Sequence, residues 1–171
     1  MRIRLLRKTT ILTLCLWLLP LQACTSREKA GLVAPDFTLE DLSGKKVSLA
    51  DHRGRFVLID FWATWCPPCL KSIPELVELH KKYKEKGLVV LGISLDDPGQ
   101  VDNNLLAAFK EKHRIDYVIL RGSEGVLQDY SGAQGMSIPT MFFVDREGKI
   151  VEKLVGFMPG RVEISLKKLM G

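Results

Sequence analysis

Two unbroken apolar runs, FVLIDF at 56–61 and LVVLGIS at 88–94, constrain this chain more than any other feature. A strand wetted on one side alternates apolar and polar residues; a run without alternation belongs to a strand buried on both faces. Such strands need cover, and the segment between them supplies it. From Pro67 to Lys86 apolar residues recur at Leu70, Ile73, Leu76, Val77 and Tyr83, a helical stripe. Pro67 and Pro68 suit its first turn, Gly87 suits its end, and Lys81, Lys82, Lys84 and Lys86 suit its negative pole. Pro74 is expected to kink it.

The rest of the chain continues the alternation. Phe37, Leu39, Val47 and Leu49 on either side of Ser43-Gly44 predict a hairpin over 35–49. A helix is expected over 100–113, a short strand near 117–120 and a short helix near 124–130. Strands at 140–144 and 150–155 flank the turn Asp145-Arg146-Glu147-Gly148, and a helix over 161–170 closes the chain. This order predicts one α/β domain with a mixed central sheet flanked by helices and extended by an N-terminal β-hairpin. The acidic stretch Asp96-Asp97-Pro98-Gly99 reads as a solvated loop after a strand.

Composition narrows the function. The 171 residues carry 25 Lys and Arg against 20 Asp and Glu, a formal charge of +5. Four of those cations (Arg2, Arg4, Arg7 and Lys8) stand in the first eight positions, so residues 24–171 hold 21 cations against 20 anions. A body so nearly neutral has little excess charge from which to build a nucleic-acid face.

The basic start runs into the apolar stretch from Ile11 to Ala23. At 1.5 Å per residue its helix would span roughly 20 Å, short of the roughly 30 Å of a bilayer core. Basic, apolar and then small residues read as an export signal. Leu21-Gln22-Ala23-Cys24 is similar to a bacterial lipobox, with Gln22 where a small residue is usual, and implies lipid on Cys24. The alternatives are an uncleaved or conventionally cleaved leader. The expected organisation is a signal at 1–23, a tether at 24–34 and the folded domain at 35–171.

That reading gives the four cysteines their meaning. Cys15 leaves with the signal and Cys24 carries lipid, so Cys66 and Cys69 are the thiols left in an oxidising compartment. A loop this small saves little unfolded-state entropy, so a pair spaced C-x-x-C is expected to serve chemistry. In FWATWCPPC the first cysteine falls between a buried strand and a helix start, where unpaired backbone N–H groups and the helix dipole favour its thiolate. Cys69 lies one turn further in. An exposed sulfur at Cys66 and a shielded one at Cys69 suit two-step thiol–disulfide exchange. Structural zinc would need two more ligands, and His52, His80 and His113 form no ligand pair. An inert structural disulfide is the other alternative.

FVLIDFWATWCPPC, Pro74 and SIPTMFFVDREGKIV resemble the thioredoxin fold, and GLVAPDFTLEDLSGKKVSLADHRGR is similar to the N-terminal hairpin of its membrane-tethered TlpA/ResA-type branch. The resemblance runs from about Gly31 to Gly171. It implies that Cys66 attacks, that Cys69 resolves and that the two form a redox-active disulfide. It implies that Pro139 is a cis-proline facing that disulfide, with Ile138 pairing to an extended client. Asp60, six residues before Cys66, matches the buried acid of thioredoxins, which would exchange a proton with Cys69. The branch often places Glu three residues after the second cysteine; here the residue is Ser72, which does no acid–base work near neutral pH. Trp65, Pro67 and Pro68 are expected at the client-contact surface, and Trp62 in the core.

The implied activity is a lipid-anchored, extracytoplasmic reductase of disulfides in exported proteins, apocytochrome c among them. Its electrons would come from a membrane thiol donor of the CcdA/DsbD type, and no cofactor or metal is implied. Two rivals share the fold's surface. A peroxiredoxin-type peroxidase wants Thr three residues before its reactive cysteine, where this chain has Ala63, with Thr64 adjacent. A copper carrier or assembly module would use the dithiol without turnover, and no His accompanies it in sequence.

Overall fold

A computed structural model describes residues 31–132 and 135–171. The leader, Cys15 and Cys24 lie outside the described residues. Among those described, six strands form one sheet in the order β1-β8-β7-β4-β5-β6, with β1 at Leu32–Val33, β4 at Phe56–Trp62, β5 at Leu88–Ser94, β6 at Val118–Arg121, β7 at Thr140–Val144 and β8 at Lys149–Val155. β4, β5 and β6 run parallel; β7, β8 and β1 are antiparallel to their neighbours, so the sheet is mixed. β2 (Thr38–Glu40) and β3 (Lys46–Ser48) pair as the expected hairpin, outside the main sheet.

Among the described residues four α-helices cover the sheet: α1 at Pro67–Tyr83, α2 at Asn103–Lys112, α3 at Glu124–Ser131 and α4 at Arg161–Met170. Every residue of β4 and of β5 is buried, as their unbroken apolar runs require. Side chains alternate across a strand. Phe56, Leu58 and Trp62 therefore pack with Ile73 and Leu76 of α1, Leu106 of α2 and Leu166 of α4. Val57, Ile59 and Phe61 face Leu39, Leu49 and, from α3, Val126 and Tyr130.

Local chemistry sets the element ends. α1 runs on past Pro74 to Tyr83, then tightens into one 3-10 turn at Lys84–Lys86, and Gly87 stops it with φ of 95°. α2 begins later than expected because Asp102 caps it, its Oδ1 accepting the Leu105 N–H at 2.8 Å.

Two expectations need correction. The sheet begins inside the stretch read as tether, since Leu32 and Val33 pair with Ile150 and Lys149. A two-residue edge strand is too short to show periodicity. The second concerns Asp96, which is not solvated: it is 4% exposed, folded back under the chain before α1.

Candidate active site

The site sits where β4 hands over to α1. Cys66 is the N-cap residue of α1, in extended backbone geometry (φ −95°, ψ 104°). Pro67 and Pro68 occupy the next two positions and bring no N–H groups. The first N–H the helix can aim at the cap is therefore that of Cys69, and it donates to Cys66 Sγ at 3.2 Å. The same two sulfurs form a disulfide, with S–S of 2.04 Å.

Burial differs from the expected exposed and shielded sulfurs. Cys69 is wholly buried and Cys66 is only 3% exposed. Cys66 is covered because its sulfur is bonded inward to Cys69 and lies 3.7 Å from the Ile138 carbonyl oxygen. In the disulfide that contact is a van der Waals approach; a reduced Cys66 thiol has a carbonyl there to donate to. The Ile138–Pro139 peptide is cis. The Pro139 carbonyl accepts the N–H of Gly156 at 2.8 Å, which brings the loop after β8 to the same place. Trp65, Pro67 and Pro68 are exposed, Trp65 at 67%, while Trp62 is fully buried and stacks on Phe109.

Asp60 is fully buried on β4, between Gly92 of β5 and Met141 of β7. By alternation its side chain leaves the sheet on the side of Leu58 and Trp62, the side α1 and Cys69 cover. Neither carboxyl oxygen has a hydrogen-bond partner among the described residues, and burial pushes its pKa up to about 7. Gly92 makes the neighbourhood possible. A Cβ there would lie 3.0 Å from Trp62 Nε1 and 3.1 Å from Tyr117 Cε2, so two large side chains use the space an ordinary residue would fill. Trp62 Nε1 and the Tyr117 hydroxyl are likewise unpartnered within the described protein. Burial, with Asp60 nearby, holds the Tyr117 phenol well above its ordinary range.

Ser72 turns its hydroxyl back onto the Cys69 carbonyl at 2.8 Å. It works as a helix side chain bonded to the preceding turn. Among the described residues His, Cys, Asp and Glu form no group of three placed to share a metal ion.

Sequence reasoning missed the bracket around the turn before Cys66. Asp96 accepts the Thr64 N–H with both carboxylate oxygens at 3.1 Å, the Thr64 hydroxyl at 2.7 Å and the Ser94 hydroxyl at 2.9 Å. Thr64 and Asp96 are 32 residues apart, so no local pattern signals the contact. It also missed Met158, 58% exposed in the loop that bonds to Pro139.

The chain is similar to known proteins in sequence and in fold. A family model described as the AhpC/TSA family matches residues 30–153. The chain is 37% identical over 126 residues to the thiol-disulfide oxidoreductase ResA of Bacillus cereus, covering 74% of this chain and 69% of that one. It is 38% identical over 128 residues to the thioredoxin-like protein YneN of Bacillus subtilis, covering 75% and 72%. Among solved structures, the thioredoxin domain of a Bacteroides vulgatus thiol-disulfide oxidoreductase superposes with a TM-score of 0.71 at 30% identity, over 82% of this chain and 97% of that one. A thiol:disulfide interchange protein of Chlorobium tepidum gives a TM-score of 0.73 at 26% identity over the same shares.

Proposed function

Since this chain belongs to the AhpC/TSA family, as a thiol-disulfide oxidoreductase of the ResA-like, thioredoxin-fold kind, we propose that it reduces disulfides of exported proteins outside the cytoplasm, held to a membrane by lipid on Cys24. The observation that carries the chemistry is the Cys66–Cys69 disulfide at the start of α1, set against the Ile138 carbonyl and above a buried acid.

In the reduced protein the Cys66 thiolate attacks a client disulfide. A bond forms between Cys66 Sγ and one client sulfur; the other client sulfur leaves as a thiolate and takes a proton. Cys69 then gives its proton to Asp60 and attacks Cys66 Sγ. The Cys66–client bond breaks, the second client thiol is released, and the protein is left oxidised by the two electrons the client gained. Burial suits Asp60 to this step, because a carboxyl with a pKa near 7 can take a proton and return it at neutral pH. Trp65, Pro67 and Pro68 form the exposed rim a client meets, and Ile138 offers backbone beside the sulfur. A membrane thiol donor of the CcdA/DsbD type resets the pair, and apocytochrome c is a representative client.

Removing Cys69 tests this directly. In cells, Cys69→Ser is expected to accumulate reducible, higher-mass adducts on Cys66, because the mixed disulfide has lost its internal competitor, and Cys66→Ser is not. The adducts name the clients. The rival reading is a peroxidase of the peroxiredoxin type. Against it stands Ala63 where that chemistry wants Thr, while the Thr64 hydroxyl is taken up by Asp96. Peroxide consumption by the wild type, with no protein adducts on Cys69→Ser, would replace the reductase reading with that one.

A further inference from the structure

The bracket formed by Asp96 has a use the exchange chemistry does not yet include. Its carboxylate is 4% exposed, and among the described residues no cation lies in ion-pair range of it. All its contacts are accepted ones, from the Thr64 N–H, the Thr64 hydroxyl and the Ser94 hydroxyl, and the Ser94 oxygen in turn accepts the Asp96 N–H at 3.2 Å. A buried negative charge held only by neutral donors is costly, and such groups persist where the arrangement does something.

Its position shows what it reaches. Thr64 is the second residue of a tight turn closed by the Cys66 N–H on the Ala63 carbonyl, 3.2 Å long. That turn sends Trp65 outward and sets Cys66 at the helix cap. Two peptide units separate Thr64 from Cys66, so their Cα atoms are at most about 7.6 Å apart. With the 3.1 Å hydrogen bond to Thr64 and the Cys66 side chain added, the carboxylate lies within roughly 15 Å of the Cys66 sulfur, a range at which one unit charge in a protein interior changes the ionisation of another several-fold.

We propose that Asp96 is a positioning residue for the dithiol: it fixes the 63–66 turn, and its negative charge opposes the Cys66 thiolate that the Cys69 N–H and the helix dipole favour. The balance keeps Cys66 a less acidic thiol, and its disulfide harder to reduce, than the helix start alone would make it. This rests on Cys66 being the attacking thiol. Among the described residues Cys69 on α1, Asp60 on β4 and Tyr117 before β6 are also ionisable and buried on that side of the sheet, and the substitutions below leave all three in place.

The test is the pH profile of iodoacetamide alkylation at Cys66 in the reduced full chain, mapped by mass. Asp96→Asn keeps an acceptor for Thr64 and removes the charge. It is expected to raise the rate several-fold at pH values below the thiol's midpoint, with the alkaline plateau unchanged, and to make the couple more oxidising. Ser94→Ala keeps the charge and strips one donor from it. It is expected to slow alkylation over the same range, and it serves if Asp96→Asn does not fold. Wild-type profiles in the variants that fold overturn the proposal, even if thermal stability drops, because a purely structural bracket predicts that pattern. No client takes part in the assay. A shifted profile alongside a protein that reduces no disulfide would therefore sink the reductase task and leave this inference standing.

Discussion

Asp60 is the residue at which burial and chemistry are most tightly linked. Its carboxyl is sealed under α1 with no donor among the described residues, so burial penalises the charged form and pushes its pKa up to about 7 against an ordinary value of 3.8. The sign of the linkage follows. The folded state holds its proton more tightly than the unfolded chain does, so the protein is most stable below pH 4 as far as this group is concerned. It loses stability as pH rises through 4 to 7 and levels off above. The gap between 3.8 and about 7 corresponds to roughly 4 kcal/mol. Asp60→Asn keeps the shape and removes the ionisation. Denaturant unfolding at a series of pH values is expected to show the variant gaining on the wild type across that window, by up to about 4 kcal/mol at pH 8. Client reduction by the same variant is expected to slow at the resolving step. An equal pH dependence in both proteins would mean that Asp60 is not the buried acid that titrates here.

At the scale of elements, nearly every strand and helix was legible in the residue pattern, because burial of a continuous surface writes a period into the chain. β4 and β5 are visible as unbroken apolar runs, α1 as a stripe, β7 and β8 as runs around a turn. What escaped has no period. β1 is two residues long and is a strand only because the Ile150 end of β8 needs a partner. Asp96 sits in a polar Asp-Asp-Pro-Gly stretch, and its burial depends on Thr64 closing over it from another element. The low exposure of Cys66 comes from Ile138, 72 residues away. Gly122 is a further case, at the end of β6. Its N–H donates to the Ser94 carbonyl at 2.8 Å, and a Cβ there would lie 2.7 Å from that oxygen and 2.9 Å from Leu95 Cδ2. The Ser94 carbonyl is backbone and cannot swing aside without moving the start of the Asp96 bracket. Gly122→Ala is expected to cost about 1–3 kcal/mol in thermal unfolding, the usual cost of overpacking. It is also expected to perturb Cys66 alkylation, which Gly125→Ala, in open space on α3, is not.

The molecule as a whole has two poles. The dithiol, the cis-proline and the Gly156 loop gather where β4 and β8 end and β7 begins. β1 joins the sheet at the opposite end, beside Ile150, which pairs with the last residue of β7. Between them β8 runs from Ile150 to Val155, about 17 Å at the usual strand rise. A chain held at Cys24 therefore enters the domain at the end away from its chemistry. The seven peptide links from Cys24 to Gly31 can span at most about 25 Å. No helix among the described residues is long and apolar enough to cross a membrane. The anchor proposed at Cys24 has its own test. Cys24→Ala is expected to move the protein from the membrane to the soluble fraction, or to leave an unprocessed precursor. A released domain should reduce a soluble disulfide substrate at the wild-type rate, since the altered residue lies far along the chain from Cys66. Membrane fractionation and electrophoretic mobility read the first outcome, and turnover of that substrate reads the second. A variant that fractionates and migrates like the wild type would remove the lipid anchor from the proposed function while leaving the dithiol chemistry untouched.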